Sequence, residues 1–196
     1  MNIILLKRIV FVLALIPLAR LFILGFLGEL TANPIEFITR STGTWTITFL
    51  SLTLAMSPLR WITGWPQWTQ LRKTLGLFSF FYAFLHFTIW YWLDHNLNFT
   101  MMIGDVIKRP FITMGFIAFV IMSFLAVTSN QISIRFLGGK WKMLHRLIYI
   151  IAILALIHYF WHKEGKRDFT VAYIYAGIIS TLLVIRIPFI KKIITK

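Results

Sequence analysis

Residues 75–93 read LGLFSFFYAFLHFTIWYWL, and residues 144–161 read LHRLIYIIAILALIHYFW. Each stretch is long and apolar enough to cross a bilayer as a helix. Each also carries imidazole: His86 lies inside the first, and His145 and His158 bracket the second. An ionisable side chain at membrane depth is costly and by default marks a functional site. Imidazole is also the usual axial ligand of non-covalently held b-type haem iron. The three histidines therefore point to an electron carrier.

Working outward, apolar stretches also cover residues 9–27, 45–59, 111–127 and 171–188, making six spans in all. The chain has 196 residues, is 59% hydrophobic and only 13% charged, and has a mean hydropathy of +0.80. A soluble domain of this size needs far more polar surface. The expectation is an all-α integral membrane protein, six transmembrane helices in one domain over residues 1–196. Its loops are too short for a nucleotide-binding domain, and no internal repeat is evident. Lys7 and Arg8 precede the first apolar run as in a signal peptide. Pro17 and Arg20 interrupt that run and no clean cleavage site follows, so it reads as an uncleaved helix. Arg20 reads as snorkelling to an interface or meeting a partner in the bundle.

Cysteine is absent, which excludes thiolate haem ligation, cysteine-bound iron–sulfur clusters and covalent c-type attachment. The net charge of +14 is a topology signal. With the N-terminus inside, thirteen bases, among them Arg72, Lys73, Lys142, Arg146 and Arg186, fall on the cytoplasmic side with no acid among them. All six acids then fall outside. This is the positive-inside pattern with both termini cytoplasmic. Anionic lipid is a natural partner. Nucleic acid is not, because the bases are dispersed over membrane-flanking loops.

In that topology His86 and His158 lie about eleven and fourteen residues into parallel helices, depths that differ by about 5 Å. They could clamp one haem iron from opposite faces, or simply hydrogen-bond across the bundle. His145 lies about 20 Å below His158, where a second ligand would allow a second, inner haem. Two features oppose it. Thirteen residues leave the two imidazoles about 140° apart on an ideal helix, and Arg72 occupies the matching inner level, fourteen residues before His86. The count is thus one haem, or two if His145 ligates. His162, one turn beyond His158, reads as an outer-interface residue, and His95, in Asp94-His95-Asn96, as a solvated loop residue. The aromatics of residues 78–92 could wall a porphyrin or simply face lipid.

In order and spacing, the chain carries Asn33-Pro34, Thr42-Gly43, Ser57-Pro58-Leu59-Arg60 and Leu71-Arg72-Lys73-Thr74-Leu75-Gly76-Leu77 leading to Leu85-His86. Further along come Lys108-Arg109-Pro110-Phe111, Thr128-Ser129, Leu137-Gly138-Gly139-Lys140-Trp141, Leu144-His145, Tyr149 and Ile157-His158-Tyr159. Over nearly its whole length it resembles the MsrQ (YedZ) family, the haem-binding membrane subunit of a bacterial periplasmic methionine sulfoxide reductase system. More widely it resembles the ferric reductase and NADPH oxidase transmembrane domain, in which two histidines on each of two helices hold two stacked haems. Arg72 stands at one of those four positions. The resemblance implies a ferric reductase-like bundle in the bacterial inner membrane, with haem at His86 and His158. It also implies an electron supply from the quinone pool or a flavin reductase, and delivery to a soluble periplasmic molybdopterin enzyme that reduces methionine sulfoxide. This chain would not reduce the sulfoxide itself. The family's reported flavin mononucleotide (FMN) could be gripped by Arg72 and Lys73, whose chemistry suits phosphate; the same pair could equally be positive-inside anchors. The segments at Asn33-Pro34 and residues 163–168 are candidate docking loops.

Two rival functions fit the same composition. A self-contained ferric or cupric reductase would reduce metal chelates with no periplasmic partner. A haem-free scaffold or small transporter, whose histidines merely join helices, would purify colourless.

Overall fold

The computed structural model describes residues 2–164 and 169–194, and within them every regular element is helical. The α1 helix, Ile3–Phe26, buries only Ala14, Pro17 and Leu21 and leaves a long apolar surface exposed. Water does not tolerate such a surface on a helix; lipid does. Four helical stretches are long and apolar enough to cross a membrane: Ile3–Phe26, Gln67–Asp94, Pro110–Val127 and Gly139–His162. A fifth, α9 (Thr170–Val184), is apolar but has 15 residues.

The remaining long helix, α2, runs Pro34–Thr63, well beyond the expected 45–59. Its 30 residues extend about 45 Å. The start is set locally: Pro34 occupies the first turn, and the Asn33 side chain accepts the Glu36 N–H at 3.2 Å. Its low hydropathy owes much to hydroxyls, five of which are satisfied by the preceding turn, while the buried Thr39 hydroxyl has no partner among the described residues. Thr42, Thr46, Thr48, Ser51 and Thr53 each donate to the carbonyl four residues back, at 2.7–3.0 Å. Gly64, at φ 72°, ends the helix in the left-handed region.

The α2 helix packs most extensively on α3 (Gln67–Ile89), and α5 (Pro110–Val127) on α8 (Ile148–Glu164). Two buried clusters bind these pairs. Leu50, Leu54, Met122, Leu125, Ile151 and Ile179 join α2, α5, α8 and α9. Phe49, Leu75, Phe78 and Tyr82 join α2 and α3 to Ala14 of α1. Tyr82 is wholly buried, stacks on Phe49 with ring centres 5.4 Å apart, and donates to the Ala14 carbonyl at 2.7 Å. Tyr82→Ala is expected to cost about 3–5 kcal/mol, since it opens an aromatic-sized cavity. Tyr82→Phe, which removes only an interhelical hydrogen bond, should cost about 1 kcal/mol. Thermal unfolding in detergent separates the two; equal losses would make the hydroxyl, not the ring, the anchor.

Two connections differ from expectation. The α3 helix ends in a π-helical turn, Trp90–Asp94, and Asn96 and Leu97 adopt positive φ of 48° and 61°. These turns send α4 (Phe99–Lys108) back over His95. His95 is therefore buried rather than solvated, 6% exposed, with Nε2 3.4 Å from Asp105 Oδ2 and its ring edge-to-face on Trp90. The 144–161 stretch is also not one continuous helix. It includes the end of α7 (Gly139–His145), following the short α6 (Gln131–Leu137), and a tighter turn at Arg146-Leu147 before α8. In that turn N–H groups bond three residues back, so the ideal-helix angle between His145 and His158 does not apply. A short α10, Pro188–Ile194, closes the described chain.

Candidate functional site

His86, on α3, and His158, on α8, meet across the bundle with ring centres 6.2 Å apart and planes inclined at 77°. Each ring is held the same way. His86 Nδ1 lies 2.8 Å from the Thr39 carbonyl of α2, and His158 Nδ1 lies 2.7 Å from the Phe111 carbonyl of α5. A carbonyl can only accept, so each Nδ1 carries the hydrogen and each Nε2 offers a lone pair. That is the orientation and tautomer of a metal-ligating histidine supported by a second shell. A metal–imidazole bond is about 2.0 Å and the ring centre lies about 1.1 Å further on, so two rings on opposite sides of one metal would stand about 6 Å apart. The observed separation suits one shared metal.

An aromatic ring borders the pair: Phe111 lies 6.1 Å from both His158 and His162. His162 is half-buried against Phe111 rather than free at the surface.

The other end of α3 forms a different chamber. A cavity of about 440 Å³ is lined by Arg72, Lys73, Lys142, His145, Arg146 and Arg186, with no acidic residue in its walls. Arg72 Nη1 donates to Ser57 Oγ at 3.1 Å. Arg186 reaches in from beyond α9, donating to the Leu182 and Leu54 carbonyls and standing 5.6 Å over the Tyr149 ring. His145 is held unlike the other pair. Its ring stacks on Trp141 at 4.0 Å, Nδ1 faces the Trp141 carbonyl at 3.1 Å, and Nε2 faces Ser129 Oγ at 3.3 Å. Both nitrogens already have protein partners, and a guanidinium, always protonated, offers iron no lone pair. The chamber suits an anion better than a second bis-histidyl iron.

The structure thus brings His86 and His158 together and gathers Arg72, Lys73 and His145 at a separate place. Part of the 163–168 docking segment, residues 165–168, lies outside the described residues. Sequence reasoning missed the Thr39 and Phe111 carbonyls, and also Arg186, Lys142 and Arg146 as walls of one cavity. An arginine ending an otherwise apolar segment was the available signal for Arg186.

Residues 42–156 match the family described as ferric reductase like transmembrane component. That match takes in His86 and His145 and stops two residues before His158. Over 184 residues the chain is 50% identical to the protein-methionine-sulfoxide reductase heme-binding subunit MsrQ of Herminiimonas arsenicoxydans, covering 93% of this chain and 84% of that protein. The chain belongs to the MsrQ family. MsrQ proteins of Bordetella parapertussis and Ralstonia nicotianae are likewise 50% identical, over 90% and 91% of this chain and 86% and 82% of their own lengths. Membership and the apolar spans agree on a helical membrane protein with a ferric reductase-like domain.

Proposed function

We propose that this chain is a membrane b-type cytochrome subunit, holding haem between His86 and His158 and relaying electrons to a periplasmic methionine sulfoxide reductase. The observation that carries this reading is the paired geometry: two imidazoles 6.2 Å apart, each with Nδ1 tied to a helix carbonyl. Relatives 50% identical over most of their length are named as haem-binding subunits of that system. Bound haem supplies a one-electron iron couple. The protein's own part is to orient both imidazoles and set ligand basicity through the two carbonyls.

The reading places six crossings in the bacterial inner membrane with both termini cytoplasmic, α2 and α9 completing the set. The basic cavity then faces the cytoplasm. Five cationic side chains around it favour an anionic carrier such as FMN, or docking by a flavin reductase; the quinone pool is the other donor. The acceptor is a molybdopterin-dependent reductase that repairs oxidised periplasmic proteins.

Haem content per polypeptide, with reduced-minus-oxidised spectra of the purified protein, tests this reading. A stable, colourless protein from haem-replete cells would sink it. Reduction of iron chelates without a partner would move the assignment to a self-contained metal reductase. For His145→Ala, whose nitrogens are engaged by Trp141 and Ser129, the main low-spin signal should persist with haem stoichiometry unchanged. Loss of a second signal would instead place a haem at the basic cavity.

A further inference from the structure

The two imidazole mounts are built alike. Thr39 and Gly43 lie one turn apart on α2, and Phe111 and Gly115 one turn apart on α5. Each histidine lies 47 residues beyond its carbonyl and 43 beyond its glycine. The 72-residue offset that separates the two histidines also relates Ser57 to Ser129, although the serines' partners, Arg72 and His145, fall one residue out of that register. The α2–α3 and α5–α8 pairs are thus one hairpin plan used twice, an internal repeat hidden at the level of residue identity.

In a helix the carbonyl of residue i already accepts the N–H of residue i+4. An imidazole that bonds the same carbonyl must approach it beside residue i+4, where a Cβ would stand. Both i+4 positions are glycine. A Cβ on Gly115 would lie 2.7 Å from His158 Nδ1, and one on Gly43 would lie 3.1 Å from His86 Cε1. Carbon does not sit 2.7 Å from a ring nitrogen, so the His158 ring would have to leave the Phe111 carbonyl; the His86 ring would need a smaller shift.

We infer that Gly43 and Gly115 are positioning residues for the two imidazoles, equivalent members of the repeated hairpin, whose missing side chains let each ring reach its helix carbonyl. This rests on the haem reading above in one respect: the rings act as iron ligands.

The test compares Gly115→Ala and Gly43→Ala with Gly104→Ala and Gly177→Ala, two helical glycines with nothing within 4 Å of an added Cβ. Apoprotein is titrated with hemin, and the midpoint potential is measured on the loaded form. Gly115→Ala should weaken hemin binding about 10- to 100-fold, the usual cost of losing a second-shell partner; Gly43→Ala should weaken it less, and the controls not at all. Both site variants should raise the midpoint potential, because an imidazole without its Nδ1–H acceptor is a poorer donor to ferric iron. The apoprotein gives an independent readout. Gly115→Ala should lower the melting temperature when His158 is present and leave it unchanged or raised in a His158→Ala background. An equal loss in both backgrounds, or unchanged hemin affinity and potential in both site variants, overturns the inference. Failure of the wild type to take up hemin overturns the haem reading instead, and the melting cycle then decides the glycine–imidazole coupling alone.

Discussion

His86→Ala and His158→Ala are each expected to abolish the main haem signal while leaving the polypeptide in the membrane at near wild-type amount. The iron would keep one imidazole and lose the other, and the nearest further imidazole, His162, lies one helical turn beyond His158 against Phe111. Loss of a second-shell partner alone costs about 10- to 100-fold in metal affinity, so loss of a ligand should cost more than about 100-fold. The fold should survive, because each ring is half-buried and contributes one hydrogen bond to a helix carbonyl that is already satisfied. Haem per polypeptide by pyridine haemochrome, alongside immunodetection in membranes, reads both halves of this expectation. Full haem in both single variants would rule out the ligand pair. Retention in His158→Ala alone would direct attention to His162, which shares the Phe111 wall.

The second large effect is expected from Arg72→Glu. Arg72 points into the 440 Å³ cavity with four other cationic side chains and no acid, and is steadied by Ser57. Reversing its charge replaces an attractive, charge-assisted contact with a repulsive one. An anionic carrier should then bind about 100-fold more weakly, equivalent to about 2.7 kcal/mol. Titration of the purified protein with FMN, followed by flavin fluorescence at low and moderate salt, measures this. Wild-type binding should weaken as salt rises, and Arg72→Glu should show little binding at either salt. The His86–His158 signal should be unaffected, since Arg72 lies about 20 Å away along α3. Equal FMN affinity in both proteins would remove the cavity as the flavin site.

How far the sequence reveals the site depends on whether the cue is local. Counting residues from helix starts puts His86 and His158 at similar depth, and the structure brings their rings together. What that count cannot supply is the mount. Thr39 and Phe111 contribute only backbone, and Gly43 and Gly115 contribute the absence of a side chain. Their meaning appears only with partners more than forty residues away. The repeat is hidden in the sequence for the same reason: it preserves the intervals from each histidine to its carbonyl and its glycine, while most paired positions differ in residue type.

Two fold expectations failed on polarity. His95 sits in Asp94-His95-Asn96, which reads as a solvated turn. Its burial depends on the positive-φ pair Asn96-Leu97 and on α4 folding back to bring Asp105 near. For α2, hydroxyl side chains lowered the hydropathy at its N-terminal half, although Asn33-Pro34 with Glu36 was a legible helix start. Hydropathy counts a hydroxyl as a cost; it does not see that the oxygen's hydrogen is donated to the preceding turn.

That hydroxyl-rich α2 also bears on biogenesis. A segment of this length, rich in threonine and below the apolarity that commits a helix to lipid by itself, has little reason to leave the translocon alone. Its broadest contact is with α3, across a short link at residues 64–66. In the six-crossing arrangement proposed above, the two are integrated as a hairpin, α3 supplying the apolar drive. Insertion of α2 then becomes a property of the pair: mutations that make α3 more polar would leave α2 stranded in the aqueous channel, and the Thr39 carbonyl would never reach the depth at which it meets His86.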